Sequence, residues 1–375
     1  MNRQRTTLIA TRAALFCVAV MAAPFAPAEL PSPQRIPQSP AVAQRKEQTP
    51  GALDAQREFK AGADLTRRGR LQQAISHLVA AERGGIDPYA VGLDLGICYV
   101  GTGQYKEAIT DLQILQVTGS RAATVDNLLA QAYLGNGQPK EAFRVFLQAA
   151  AVAPRDETLY AFMADACTDH QDYSLGLEIV DRGLQQLPDS ARLHYERALF
   201  LSRLGRIDEG KPEFDRAAQL APGSYIGYLA RVQEDLYDDD LAAADKVLRQ
   251  AIQAGHRDYR MLSLLGTVLL HEGAAPGQPQ FAEAKAALQE SARLRPDFST
   301  TQIALGKIYL MQGRPREAVD HLEIGRRLEP ENPSVYANLA NAYEQLGESE
   351  KAREMRTQTG RLLAERKTDA GPTQP

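Results

Sequence analysis

The densest run of side chains able to do chemistry is Glu234-Asp235-Leu236-Tyr237-Asp238-Asp239-Asp240. Carboxylate oxygens packed this closely suit a hard cation such as calcium. The run fails the calcium-loop template, because Asp240 stands where that loop must turn on glycine. A plainer reading makes Asp240 the N-cap of a helix LAAADKVLRQAI, with its acidic neighbours at the positive end of the helix dipole. A contact patch for a basic partner is the third reading of the same residues. The histidines, His77, His170, His194, His256, His271 and His321, are scattered singly along the chain. Single histidines on helix surfaces are ordinarily solvated.

The chain carries no G-x-x-x-x-G-K-[ST] for phosphates, no G-x-S-x-G elbow and no H-E-x-x-H. It is therefore read as a non-enzyme, with no catalytic, cofactor-binding or metal-binding residue. No basic block of the kind that nucleic acid or an anionic membrane surface demands occurs in the body of the chain. Formal net charge is −4.

The N-terminus has the pattern of a secretory leader over residues 1–28. Arg3, Arg5 and Arg12 form a positive region, Ala13 to Ala23 is apolar, and Ala26-Pro27-Ala28 supplies small residues for cleavage. The apolar stretch falls short of the roughly 20 residues a spanning helix needs, so an uncleaved membrane anchor is the alternative. Cleavage would remove three arginines and no acid, taking the charge from −4 to −7. The expected location is periplasmic or secreted. Residues 29–50 are rich in Pro, Gln, Ser and Ala and read as a disordered spacer; residues 367–375 read as a disordered tail. An oxidising compartment permits disulfides, but Cys98 and Cys167 stand two repeats apart and read as small buried apolar residues.

The elements that position all these residues come from a repeat of 34 residues over 51–366. The stretches GICYVGTGQYKEAI from Gly96, AQAYLGNGQPKEAF from Ala130, ALFLSRLGRIDEGK from Ala198, GKIYLMQGRPREAV from Gly306 and ANAYEQLGESEKAR from Ala340 align without gaps. Units start near 55, 89, 123, 157, 191, 225 and 259; Ala274 to Pro279 then inserts six residues, and units resume near 299 and 333. Gly62, Gly96, Ala130, Ala164, Ala198, Gly266, Gly306 and Ala340, at the eighth place, permit close helix approach. Gly69, Gly103, Gly137, Gly205, Gly313 and Gly347, at the fifteenth, close the first helix in a left-handed cap. The second helix carries its own apolar stripe, as in Ala142, Phe146 and Ala149. Pro154, Pro188, Pro222, Pro296 and Pro330 end it.

This pattern resembles the tetratricopeptide repeat family. Leu95-Gly96-x2-Tyr99 with Ala108-x3-Leu112 matches its signature, as does Leu305-Gly306-x2-Tyr309 with Ala318-x3-Leu322 and Pro330. The chain departs from the family in having no Trp; Tyr160, Tyr228 and Tyr336 stand at the fourth place of their units, and Val232 and Asp235 replace Gly and Tyr in the unit from 225. The resemblance implies an all-α solenoid of about nine tandem helix-turn-helix units in a right-handed superhelix, with the first helix of each unit lining the concave face. Arg356 and Thr359 give the last unit the polar outer face an end cap needs.

By the family's register, the concave face carries Asn127, Gln131, Asp165, Arg192, Tyr195, Gln233, Lys307, Asn338 and Asn341, mixed with Phe162, Leu199, Ile303 and Leu310. Such a mixed surface suits other proteins or extended peptides, since Asn and Gln bond peptide backbone in a sequence-tolerant way. The family's clamp for a C-terminal carboxylate is not expected, because Lys307 is alone and Asn338 and Asn341 lack basic partners. The reading is an exported, non-catalytic interaction scaffold. Its rivals are an accessory subunit of an envelope glycan or secretion system and a peptide- or carbohydrate-binding receptor.

Overall fold

The computed structural model describes residues 50–118 and 123–369. The expected leader and most of the spacer lie outside these residues. Eighteen helices and no strand occur among the described residues. They are α1 (Pro50–Arg67), α2 (Leu71–Arg83), α3 (Pro88–Gly101), α4 (Tyr105–Thr118), α5 (Ala123–Gly135), α6 (Pro139–Val152), α7 (Glu157–Asp169), α8 (Tyr173–Gln186) and α9 (Ala191–Arg203). There follow α10 (Ile207–Leu220), α11 (Tyr225–Tyr237), α12 (Leu241–Gln253), α13 (Tyr259–His271), α14 (Pro279–Leu294), α15 (Ser299–Met311), α16 (Pro315–Leu328), α17 (Pro333–Gln345) and α18 (Ser349–Asp369). Odd-numbered helices are the first, and even-numbered helices the second, of each antiparallel pair. The chain divides between Gly205 and Arg206 into two compact units. The last helix runs to Asp369, so residues 367–369 are helical where a disordered tail was expected. No helix of the described residues is long and apolar enough to cross a membrane.

The turn between paired helices is the same wherever the sequence places glycine at the fifteenth position. Gly69, Gly103, Gly137, Gly205, Gly313 and Gly347 all have φ between 67° and 76°. After Gly69, Gly103, Gly137, Gly313 and Gly347 the next residue donates its N–H back five places, as Gln138 does to the Tyr133 carbonyl at 2.9 Å and Arg314 to the Tyr309 carbonyl at 2.9 Å. This six-to-one bond satisfies a carbonyl that the helix end leaves orphaned. Two units hold the same conformation without glycine: Gln171 and Asp239 both have φ 59°.

The start of the following helix is set by a polar residue just before it. Asp156, Ser190, Ser224, Asp258 and Asn332 each accept a backbone N–H from the first turn, at 3.1, 3.0, 3.1, 2.9 and 3.0 Å. Each such cap stabilises its helix by about 1 kcal/mol. A second device recurs at the fourth place of the unit. Tyr160 and Tyr336 donate their hydroxyls to the carbonyls of Pro154 and Pro330 at 2.9 and 2.8 Å. Gln302 donates to Pro296 at 2.6 Å and His194 to Pro188 at 2.9 Å. These bonds tie each unit to the loop that precedes it.

Packing inside a pair rests on the small eighth residue. A Cβ on Gly62, Gly96, Gly266 or Gly306 would lie 2.7, 2.6, 2.5 or 2.5 Å from Leu78, Leu112, Leu288 or Leu322. Those four leucines are wholly buried, each stabilising the fold by about 1.5–3 kcal/mol. In the N-terminal unit one core runs from Ala108 to Leu201 around Phe146, Tyr160 and Phe200, with a smaller cluster around Leu78 and Leu95. In the C-terminal unit a cluster joins Leu322, Val335 and Leu339. Cys98 and Cys167 are buried and unbridged, and Cys98 Sγ lies 3.3 Å from Thr66 Oγ1.

Candidate functional site

In the N-terminal unit the first helices α3, α5, α7 and α9 pack one on the next. Asn127 and Gln131 lie on α5, Asp165 on α7, and Arg192 and Tyr195 on α9. The structure joins two of them directly: Arg192 Nη2 donates to Asp165 Oδ2 at 3.0 Å, with the side chains 13% and 17% exposed. This bridge crosses from α9 to α7. It uses groups that would otherwise be offered to a ligand. Gln131 and Phe162 are half-buried and reach the surface.

Asn127 and Tyr195 do not. They are 4% and 3% exposed, and in the C-terminal unit Gln233 on α11 is 1% exposed. The family's register assigns them to the groove side. Buried to this degree, they offer a partner almost no surface. Beside Asn127, Asp126 is also buried, and its carboxylate accepts from Gln116 at 2.7 Å. Sequence reasoning passed over Asp126; an acidic residue in a first turn reads simply as complementing the dipole.

The C-terminal unit stacks α13, α15 and α17 in succession. Lys307 lies half-buried on α15, flanked along its helix by the apolar Ile303 and Leu310. Burial lowers the pKa of its ammonium, and no carboxylate among the described residues offsets the effect. On α17, Asn338 donates to the Ser334 carbonyl at 2.8 Å within its own helix, and Asn341 is exposed. Lys307, Asn338 and Asn341 therefore occupy neighbouring helices, with one half-buried lysine and one exposed amide. Chemically, this face can accept an anionic group and bond a peptide backbone.

The acidic run from Glu234 ends as the capping reading proposed. Asp240 accepts the Ala243 N–H at 2.9 Å as the N-cap of α12. Asp238 pairs with Lys211. Asp235 is half-buried, and desolvation, reinforced by Glu234 and Asp240, pushes its pKa up to about 6. Among the described residues no group of three or more His, Cys, Asp and Glu is arranged to hold a metal ion. The histidines are engaged structurally. His77 meets Glu58 at 2.6 Å, and His321 stacks on Tyr309 with centroids 5.2 Å apart while bonding Gln302 at 2.6 Å.

Comparison with known proteins agrees with this architecture. Two family models, both described as tetratricopeptide repeat, match the chain, one over residues 93–157 and 303–355 and the other over 191–224. No curated protein matches the chain in sequence. A solved tetratricopeptide repeat protein from Parabacteroides merdae superposes with a TM-score of 0.50 at 15% identity, covering 68% of this chain and 98% of that one. A chain of the APC/C hetero-tetramer Cut9-Hcn1 superposes with a TM-score of 0.50 at 12% identity, covering 83% of this chain and 75% of that one. At such identities these likenesses concern the fold alone.

Proposed function

Because the chain is a tetratricopeptide-repeat protein, we propose that it serves as an exported, non-catalytic scaffold that binds partner proteins through extended segments laid along the first helices of its repeats. One observation carries the reading. Lys307 is a half-buried lysine whose ammonium has no carboxylate partner among the described residues, on the helix face that the repeat register assigns to ligands. An isolated protein gains nothing from dehydrating an unpaired cation; a partner bringing a carboxylate recovers the cost. Asn341 on the next first helix and Gln131 and Phe162 in the N-terminal unit supply the sequence-tolerant contacts. The arginines, apolar stretch and small residues of positions 1–28 support export, with the Pro-rich segment after them as the spacer.

Crosslinking capture on the tagged chain in its native cells tests the binding. A short, reproducible set of proteins should be recovered, and Lys307→Glu should deplete it without changing the helical circular dichroism. A set indifferent to Lys307→Glu, or hydrolase or transferase activity that tracks a single residue, would sink the reading. Fractionation tests the export separately. A mature chain starting near Glu29 outside the cytosol is the expected product, and an intact N-terminus on cytosolic material would count against it.

A further inference from the structure

We propose that the six-residue insert between α13 and α14 builds a second binding pocket, one that takes the carboxylate side chains of an acidic polypeptide segment. The cavity is a depression open to solvent, with a volume of about 480 Å³, lined by Gln278, Phe281, Ala282, Lys285, Gln289 and Gln312, among others. Gln278 belongs to the insert, Gln312 to the turn after α15, and the rest to α14. In the six units with glycine at the fifteenth place and no insert, the two helices meet across a short turn; here the added chain raises a wall beside the exposed face of α14.

The polar lining is set for donation. Lys285 Nζ donates to Gln312 Oε1 at 2.9 Å. An ammonium has no acceptor, so this bond fixes which end of the Gln312 amide is oxygen and leaves its NH2 free to donate. The Ala275 backbone N–H donates to Gln278 Oε1 at 2.9 Å. That bond fixes the second amide in the same sense, with its NH2 directed away from the bonded oxygen. The cavity therefore offers an ammonium and the NH2 groups of Gln278 and Gln312, whose oxygen ends are already engaged, beside the Gln289 amide, which can donate or accept. No carboxylate lines it. The Lys285 ammonium lies 5.2 Å from the centroid of the Tyr309 ring, and the Arg314 guanidinium lies 5.0 Å from that same ring. Arg314 is bound to Glu317, which leaves Lys285 as the cation the cavity presents.

The volume and the floor select a polypeptide over a small free anion. The space falls in the range that holds several side chains or a drug-sized ligand, about 300–1,000 Å³. Its apolar surface is offered by the exposed Ala282 and Ala286, beside the almost wholly buried Phe281. Apolar stems fit such a floor while their carboxylates meet the donors.

The probes are two blocked octapeptides with alternating Ala-Glu and Ala-Gln, each bearing a benzophenone, photo-crosslinked to the full chain and mapped by mass spectrometry. The acidic peptide should label residues 277–289 severalfold more than the amide peptide. Lys285→Gln should reduce that labelling about tenfold, the loss of one good charge-assisted bond. Gln312→Glu should do the same by giving Lys285 a carboxylate of its own, while Lys351→Gln on α18 should leave it unchanged. Both lining variants are surface exchanges that leave the helices intact. Equal labelling by the two peptides, labelling unmoved by Lys285→Gln, or labelling concentrated around Lys307 would each overturn the pocket. The last result would do so while supporting the binding face on α15.

Discussion

The substitution Gln171→Gly should stabilise the protein, although it removes a whole side chain. Every fifteenth place that carries glycine in an A–B turn sits in the left-handed region, and Gln171 is held there too, at φ 59°. For an L-residue with a Cβ this conformation costs about 1–2 kcal/mol. Glycine removes that strain but brings additional unfolded-state entropy, worth about 0.4–1 kcal/mol. The net gain should be about 0.5–1 kcal/mol. The Gln171 side chain is exposed, so little packing is lost in exchange. Gly137→Ala is the mirror experiment. No heavy atom lies within 4 Å of a Cβ built on Gly137, so the loss of about 1 kcal/mol expected there is a backbone effect with no steric share. Asp239→Gly should gain less than Gln171→Gly, because a short polar side chain tolerates this region better. The assay is guanidinium unfolding followed by circular dichroism, comparing midpoints at unchanged slope. If Gln171→Gly lowers the midpoint while Gly137→Ala leaves it in place, the conformational argument is wrong.

Four further outcomes follow from the packing and the charges. Gly306→Ala would force its new methyl to within 2.5 Å of Leu322 and should cost about 1–3 kcal/mol; a loss below about 0.5 kcal/mol in the same unfolding assay would show that the helices can part freely. Asp235 binds its proton more tightly folded than unfolded, with a pKa raised from 3.8 to about 6. Its contribution is therefore complete below pH 4 and lost as pH rises through 6, and Asp235→Asn should flatten that decline by about 1 kcal/mol once solvent screening is allowed for. Arg192→Ala should cost more than Arg249→Ala, because Arg192 and Asp165 are 13% and 17% exposed whereas Arg249 and Glu283 are each 40% exposed; the second loss should be at most about 1 kcal/mol and shrink in salt, and equal losses would contradict the role given to burial. Cys98 and Cys167 are buried, and desolvation raises both thiol pKa values, so thiol reagents should label them only at the rate at which the chain opens, and fast labelling of the native protein would refute their burial.

Much of the fold is legible in the one-dimensional pattern because its causes are local. Glycine at the fifteenth place dictates a left-handed turn whatever surrounds it, and Gly306 implies close approach because it has no Cβ to clash with Leu322. The capping role of Asp240 was readable for the same reason, as the bond to Ala243 spans three residues. The end of α18 was not: nothing in the composition of residues 367–369 distinguishes a helix that continues from one that frays. The polar caps Asp156, Ser190, Ser224, Asp258 and Asn332 are equally local signals, whereas α15 starts after Phe298 with no side-chain cap.

What the sequence by itself determined is therefore the repeat: its period, the hairpin in each unit and the turn chemistry. What only the tertiary structure decided is which of the side chains assigned to the groove meet solvent. Asn127, Tyr195 and Gln233 are covered, Lys307 stays half-open, and Arg192 is joined to Asp165. The donor-lined cavity at Lys285 and Gln312 likewise needed chain from two separated segments to come together. The physical reason is that helical periodicity depends on neighbours three and four residues away, whereas exposure depends on the distance to the adjacent helix. That distance is fixed by the volumes of side chains on successive helices, such as Phe146 and Tyr160, and no local pattern encodes it.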